Sequence, residues 1–172
     1  DWLVGSAADD QVAALAGDDT VEGLDGKDLL EGGEGNDLLR GDSGEDKLAA
    51  AAGADTLDGG TDKDELAGGL GNDVYILDHA EDIVIETENE GFDTIRVANS
   101  HTLIWEWVEA VELAGSGNFA LTGGFRANLL VGNAGANTLD GAEGADTLAG
   151  GAGNDTYLVD ASDLVVETAD GG

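Results

Sequence analysis

The chain has 172 residues, enough for one domain with a buried core. It carries 38 acidic against 6 basic side chains, a formal charge of -32, and 29 glycines with 5% aromatic residues. This balance argues against nucleic acid or an anionic membrane as partner, because like charges repel, and it opposes compaction unless a counter-ion is supplied. Multivalent cations are the simplest such ion. A 41% hydrophobic content and regularly spaced acids favour folding over disorder. There is no cysteine, hence no disulfide framework and no thiolate metal site. No run approaches the roughly 18 apolar residues of a membrane span, so membrane insertion by this segment is not expected. The N-terminus, DWLVGSAADD, lacks the basic region of a signal peptide, and the chain reads as a fragment of something larger.

The first element in chain order is a repeat. Asp10, Asp19, Asp28, Asp37, Asp46, Asp55, Asp64 and Asp73 recur every nine residues without a slip, and Asp1 extends the series backwards. Two places after each comes an apolar residue: Val12, Val21, Leu30, Leu39, Leu48, Leu57, Leu66 and Tyr75. Two places before stand Gly17, Gly26, Gly35, Gly44, Gly53 and Gly71, and the repeat opens on Gly5, Gly23, Gly32, Gly41, Gly59 and Gly68. The second position is looser, with Leu15, Leu24 and Asp42 among its occupants. Such a run of in-phase aspartates identifies a repeat architecture.

This pattern resembles the RTX nonapeptide repeat, GGxGxDxUx with U apolar, a calcium-binding parallel β-helix signature. The resemblance is close over residues 1 to 76 and returns at about 123 to 158 in GNAGANTLD, GAEGADTLA and GGAGNDTYL. It implies an all-β fold, a right-handed parallel β-roll (β-helix) solenoid, with a first block at 1–78, a degenerate connecting segment at 79–122 and a second block at 123–172. The physics agrees with the resemblance. Glycine accepts positive φ, so the first positions suit a tight turn, and the xUx triplet supplies a short strand whose middle side chain faces inward. Two repeats complete one coil, coils stack at about 4.8 Å, and aspartates two repeats apart lie above one another.

A hard dication between such carboxylates converts repulsion into attraction. Calcium suits a flexible all-oxygen site better than magnesium, and zinc lacks ligands because His79 and His101 stand alone. In RTX rolls calcium is held between adjacent turns by aspartates and turn carbonyls. Carried over, the pairs are Asp1 with Asp19, Asp10 with Asp28, Asp19 with Asp37, Asp28 with Asp46, Asp37 with Asp55, Asp46 with Asp64 and Asp55 with Asp73. The turn glycines beside them are Gly17, Gly26, Gly33, Gly35, Gly44, Gly53, Gly60, Gly69 and Gly71. Seven dications, two charges each, would bring -32 to -18. Asp62 stands where glycine is expected, and Ala8, Ala14 and Ala50 also replace glycines, which predicts weaker or distorted turns there.

In the middle segment, VYILDHAEDIVIET after Asp73 is echoed by TYLVDASDLVVET after Asp155, an internal duplication that pairs Tyr75 with Tyr157 and Asp78 with Asp160. Short apolar runs at 83–85, 95–97 and 108–113 predict further strands on less regular rungs. Trp105 and Trp107 offer a patch for a glycan or surface ligand, although packing at a corner is the plainer expectation. In the second block the aspartate position holds Asp155, Asp146, Asn137, Asn128 and Phe119. An Asn keeps a carbonyl but loses the charge. The expected sites are Asn137–Asp155 and, less securely, Asn128–Asp146, with Gly144, Gly151 and Gly153 in the turns, giving one or two ions beside the seven.

RGDS at 40–43 and GDSG at 41–44 fall in the repeat register, which generates them by itself, and no triad histidine accompanies the latter. No HExxH, P-loop or EF-hand spacing occurs, and no catalytic constellation is found. The expected function is a calcium-triggered folding module of a secreted bacterial protein. The resemblance implies type I export in an unfolded state, with folding at extracellular calcium. The alternatives are an accessory module serving flanking domains of an extracellular enzyme, and an adhesive or S-layer-type stalk. The family's secretion signal is C-terminal, and this fragment ends at Asp170-Gly171-Gly172 without one.

Overall fold

A computed structural model describes residues 1–167; positions 168–172, including Asp170-Gly171-Gly172, lie outside the described residues. The chain divides into two compact units, Asp1–Asp93 and Thr94–Gly172. Among the described residues there is no helix.

The first unit contains β1 (Trp2–Val4), β2 (Gln11–Ala16), β3 (Thr20–Asp25), β4 (Leu29–Glu34), β5 (Leu38–Ser43), β6 (Lys47–Ala52), β7 (Thr56–Asp58), β8 (Glu65–Leu70), β9 (Val74–Leu77) and β10 (Ile83–Val84). Odd strands form one sheet in the order β1-β3-β5-β7-β9, and even strands a second, β10-β8-β6-β4-β2. Every pairing is parallel, and the register is strict: Val21 lies beside Leu39, Leu39 beside Leu57, Leu30 beside Leu48. Two repeats therefore make one coil, as the nine-residue period predicts.

The apolar position of each repeat is the core. Val21, Leu30, Leu39, Leu48, Leu57, Leu66 and Tyr75 are all buried, so the inside of the solenoid is a double column of side chains contributed alternately by the two sheets. Burial of each leucine contributes about 1.5–3 kcal/mol. No single coil could enclose such a core, which makes each coil depend on its neighbours.

One expectation needs correction. Strands were expected to span about three residues, yet most in the first unit span six and run on through the glycine positions. The reason is that the turns are themselves hydrogen-bonded from coil to coil. Gly17, Gly35 and Gly53 donate their N–H to the carbonyls of Glu34, Ala52 and Leu70 at 2.7–2.9 Å. Between β2 and β8, only β7 is shorter. It stops at Asp58, just before the turn in which Asp62 replaces glycine, and the equivalent bond there, Gly44 N–H to Thr61, stretches to 3.4 Å.

The second unit contains β11 (Thr94–Val97), β12 (His101–Thr102), β13 (Ala110–Leu113), β14 (Ala120–Thr122), β15 (Leu129–Val131), β16 (Thr138–Asp140), β17 (Thr147–Ala149), β18 (Thr156–Leu158) and β19 (Leu164–Val166). It repeats the plan with sheets β11-β13-β15-β17-β19 and β12-β14-β16-β18. Its first rungs are uneven. Thr94 pairs with Ala110, Ala110 with Leu129 and His101 with Leu121, before the regular spacing returns at Leu129 with Thr147. Leu121, Leu130, Leu139 and Leu148 continue the buried column.

Candidate metal centres

The sixth position of every regular repeat is built the same way. Each aspartate backbone N–H donates to the Oδ1 of the aspartate one coil further on. The bonds run Asp10 to Asp28, Asp28 to Asp46 and Asp46 to Asp64, and in the other column Asp19 to Asp37, Asp37 to Asp55 and Asp55 to Asp73, all at 2.7–2.9 Å. Asp1 joins the second column beside Asp19, its carbonyl accepting the Thr20 N–H at 2.9 Å. All seven pairs expected from the sequence are thus adjacent in the structure. Asn128 with Asp146 and Asn137 with Asp155 meet in the same way, at 2.7 Å each.

The other carboxylate oxygen tells the turns apart. Oδ2 of Asp19, Asp28, Asp37, Asp46, Asp55, Asp64, Asp73, Asp146 and Asp155 is buried and has no hydrogen-bond partner. In each of these nine turns the residue four places earlier has a left-handed backbone. These residues are Leu15, Leu24, Gly33, Asp42, Ala51, Gly60, Gly69, Ala142 and Gly151, with φ from +65° to +117°. The conformation is held whether or not the residue is glycine, so the loose second position of the motif conceals a strict backbone requirement. The remaining turns are built differently. Asp10 Oδ2 accepts the Ser6 N–H at 2.6 Å and its hydroxyl at 2.9 Å, while Asn128 and Asn137 Oδ1 accept the N–H of Gly124 and Asn133 at 2.8 and 2.9 Å. None of Ser6, Gly124 and Asn133 has a positive φ. In those turns a backbone donor occupies the place that the other nine leave to something else.

The glycines have a steric role beyond flexibility. A Cβ on Gly23, Gly32, Gly41, Gly59 or Gly68 would lie 2.1–2.3 Å from the Oδ2 of the aspartate that closes its own turn. A Cβ on Gly35, Gly44, Gly53 or Gly71 would lie 1.5–2.2 Å from a glycine carbonyl oxygen of the preceding coil. One set leaves room for the carboxylate, and the other lets the coils stack.

Three blocks, residues 4–39, 40–75 and 122–157, match the family model described as the RTX calcium-binding nonapeptide repeat, and together they cover more than half of the chain. The chain belongs to the RTX calcium-binding nonapeptide repeat family. No curated protein matches the chain at a significant level.

The RTX turns fit a hard cation on the structure's own terms. A buried anionic oxygen without a donor costs several kcal/mol unless it is paired or coordinated. Nine such oxygens sit in a framework free of thiolate ligands. The electrostatics agree. Burial pushes the carboxyls of Asp37, Asp46 and Asp146 up, and raises Asp55 to about 6 and Asp64 and Asp73 to about 7, with neighbouring carboxylates adding to the effect. Backbone N–H donation to Oδ1 works in the opposite direction without cancelling it.

Four carboxylates, three in these columns and one beside them, were missed by the sequence reading. Asp64 N–H donates to Asp82, Asp73 N–H to Asp93 and Asp146 N–H to Asp163, at 2.8–3.2 Å. Asp82 is one further step of nine beyond Asp73 and was legible. Asp93 follows a rung lengthened by two residues, and Asp163 is its duplicated block's counterpart of Asp82. The turns before Asp82 and Asp163 close on themselves, through the N–H of His79 at 3.1 Å and of Asp160 at 2.8 Å. The fourth is Glu86, which lies outside the nonapeptide positions. Its carboxyl is pushed up to about 8, mainly by burial, and it accepts the Tyr75 hydroxyl.

The tryptophans of the middle segment are held by their neighbours. Trp105 stacks on His101 with ring centroids 5.7 Å apart, and the Arg126 guanidinium lies 3.8 Å over the Trp107 ring. Burial pulls the His101 imidazole below its ordinary value.

Proposed function

We propose that this chain is a calcium-triggered folding module of a secreted bacterial protein. The observation that carries the proposal is the division of the turns: nine end in a buried carboxylate oxygen without a partner, whereas those ending in Asp10, Asn128 and Asn137 supply their own donor. Seven such turns lie in the first unit and two in the second. That supports about seven calcium ions in the first block, with Asp19, Asp28, Asp37, Asp46, Asp55, Asp64 and Asp73 as ligands. It supports two in the second, at Asp146 and Asp155. When bound, calcium supplies the positive charge that lets these buried groups ionise; the protein residues hold one oxygen of each carboxylate through Oδ1 and aim the other into the turn.

Without calcium the columns of like charge oppose coil stacking, and the coils cannot fold singly because each covers its neighbour's core. Ligation by the folded state alone then drives folding. Affinities of about 10⁻⁴ to 10⁻³ M suit an extracellular module, which stays unfolded in a calcium-poor cytoplasm. This is consistent with type I export of an unfolded chain, followed by folding outside the cell. The role of the segment itself is structural.

Far-UV circular dichroism and tryptophan fluorescence during a calcium titration test the proposal. β-Structure should appear cooperatively between about 0.1 and a few mM calcium. It should vanish with EDTA and not be restored by equal magnesium. A fold indifferent to EDTA refutes the proposal.

A further inference from the structure

The last regular turn of the first unit differs from the others. Asp73, Glu86 and Asp93 each offer a carboxylate oxygen, and these atoms lie within 4.8 Å of one another. Asp73 is 1% exposed; its Oδ1 accepts the Asp55 N–H at 2.8 Å and its Oδ2 has no partner. Asp93 is also 1% exposed and accepts the Asp73 N–H at 2.8 Å. Glu86 comes from the segment after β10, outside the nonapeptide register. One of its oxygens accepts the Tyr75 hydroxyl, and the other is buried without a hydrogen-bond partner.

Tyr75 is what brings Glu86 here. It fills the apolar position of its repeat and is fully buried, yet its hydroxyl reaches past the core to accept the Gly68 N–H at 2.8 Å and to donate to Glu86. A leucine, which most other repeats place at this position, offers neither bond. Gly68 has no side chain in the way: a Cβ there would lie 2.1 Å from Asp73 Oδ2 and 2.4 Å from the Tyr75 hydroxyl. The arrangement is repeated at the end of the second block. Tyr157 accepts the Gly150 N–H at 2.9 Å and donates to Glu167, beside Asp155, whose Oδ2 is also without a partner. The same tyrosine–glutamate device thus stands at the last regular turn of both blocks.

We infer that Glu86 is a cation ligand supplied from outside the repeats, so that the turn ending in Asp73 is a three-carboxylate site for a hard divalent cation. The inference rests on calcium binding by the repeat turns. Its consequence is a ranking. Asp93 stands to Asp73 as the next aspartate stands to each other turn of the column, so Glu86 is the one additional carboxylate; it raises the site's charge and its affinity above those of turns without it, since affinity in oxygen-ligand calcium sites is tuned by ligand charge. This site fills first, at the boundary of the regular stack.

Terbium luminescence sensitised by aromatic side chains tests it. In a Tyr157→Phe background Tyr75 is the one tyrosine, and it is bonded directly to the proposed ligand. The component of the signal that a further Tyr75→Phe change removes reports an ion at this turn. It should saturate at lower terbium than the circular dichroism transition. Glu86→Gln should shift it at least tenfold to higher terbium while leaving the amplitude of the calcium-induced fold. Glu88→Gln, an equal charge change at an exposed neighbour, should shift it little. A Tyr75 signal unmoved by Glu86→Gln, or moved equally by Glu88→Gln, overturns the inference. Loss of all metal-induced folding in the parent protein would instead overturn the calcium reading of the repeats.

Discussion

Asp37 and Asn128 occupy the same repeat position, yet replacing the first should weaken the dependence of stability on calcium and replacing the second should not. In Asp37→Ala the buried Asp19 N–H loses its acceptor at 2.9 Å, which costs about 1–3 kcal/mol at any calcium concentration. The turn also loses its only carboxylate oxygen without a partner, and with it at least one ion, or two if the ion is shared with the coil beyond. Each ion bound only by the folded state adds RT ln(1 + [Ca]/Kd). Above Kd, stability therefore rises by about 1.4 kcal/mol per tenfold calcium for every ion. Asp37→Ala should lower that slope by about 1.4 to 2.8 kcal/mol per decade. Asn128→Ala strands the Gly124 N–H, now bonded at 2.8 Å, for a similar fixed cost of about 1–3 kcal/mol, but it removes no metal seat and should leave the slope unchanged. Urea denaturation followed by circular dichroism at 1, 3 and 10 mM calcium measures both quantities. Parallel slopes for the two variants and the parent would refute the distinction between metal-dependent and self-closed turns.

Three further predictions follow from particular residues. The raised carboxyls of Asp64, Asp73 and Glu86, at about 7, 7 and 8 against 3.8 and 4.5 ordinarily, make the metal-free fold most favourable below about pH 4 and progressively less so as pH rises through 7 to 8. Metal-free protein should accordingly gain β-structure on acidification, and the calcium needed for half-folding should fall as pH drops from 8 to 5.5, because the unfolded carboxyls stay ionised over that range; a midpoint constant over that range contradicts the shifts. Gly33→Ala sets a Cβ 1.8 Å from the Leu15 carbonyl oxygen at φ +117° and should destabilise by at least about 1–2 kcal/mol, whereas Leu24→Gly relieves a left-handed leucine at φ +85° and should be neutral or stabilising in the same urea assay. Leu39→Ala, at a fully buried rung, should cost about 2–5 kcal/mol and raise the calcium midpoint.

Much of the fold is legible in the period of the aspartates, because one residue per half-coil must meet its counterpart one coil on and the chain has little freedom to slip. The apolar column from Val21 to Tyr75 and the aspartate pairs follow from that spacing alone. What spacing does not convey is the state of the turn. Leu15, Leu24 and Asp42 read as occupants of a loose position, yet coil-to-coil hydrogen bonding holds them in the same left-handed conformation as Gly33. Asn137 reads as a weakened ligand, but its carbonyl is engaged by Asn133 N–H inside the turn. Such local closure depends on which way one peptide plane faces, and composition does not reveal that. Asp93 was hidden by a lengthened rung, and Glu86 by lying outside the register. The signal for Glu86 was the internal duplication, in which Tyr75 and Glu86 recur as Tyr157 and Glu167.

The most direct test is the number of calcium ions held by the folded chain, measured by equilibrium dialysis with elemental analysis at a free calcium several times the folding midpoint. Metal seats in turns with a partnerless buried carboxylate predict about nine ions per chain, seven of them lost when the first unit's turns are disabled. A folded chain carrying one or none would contradict calcium as the agent that holds the coils together.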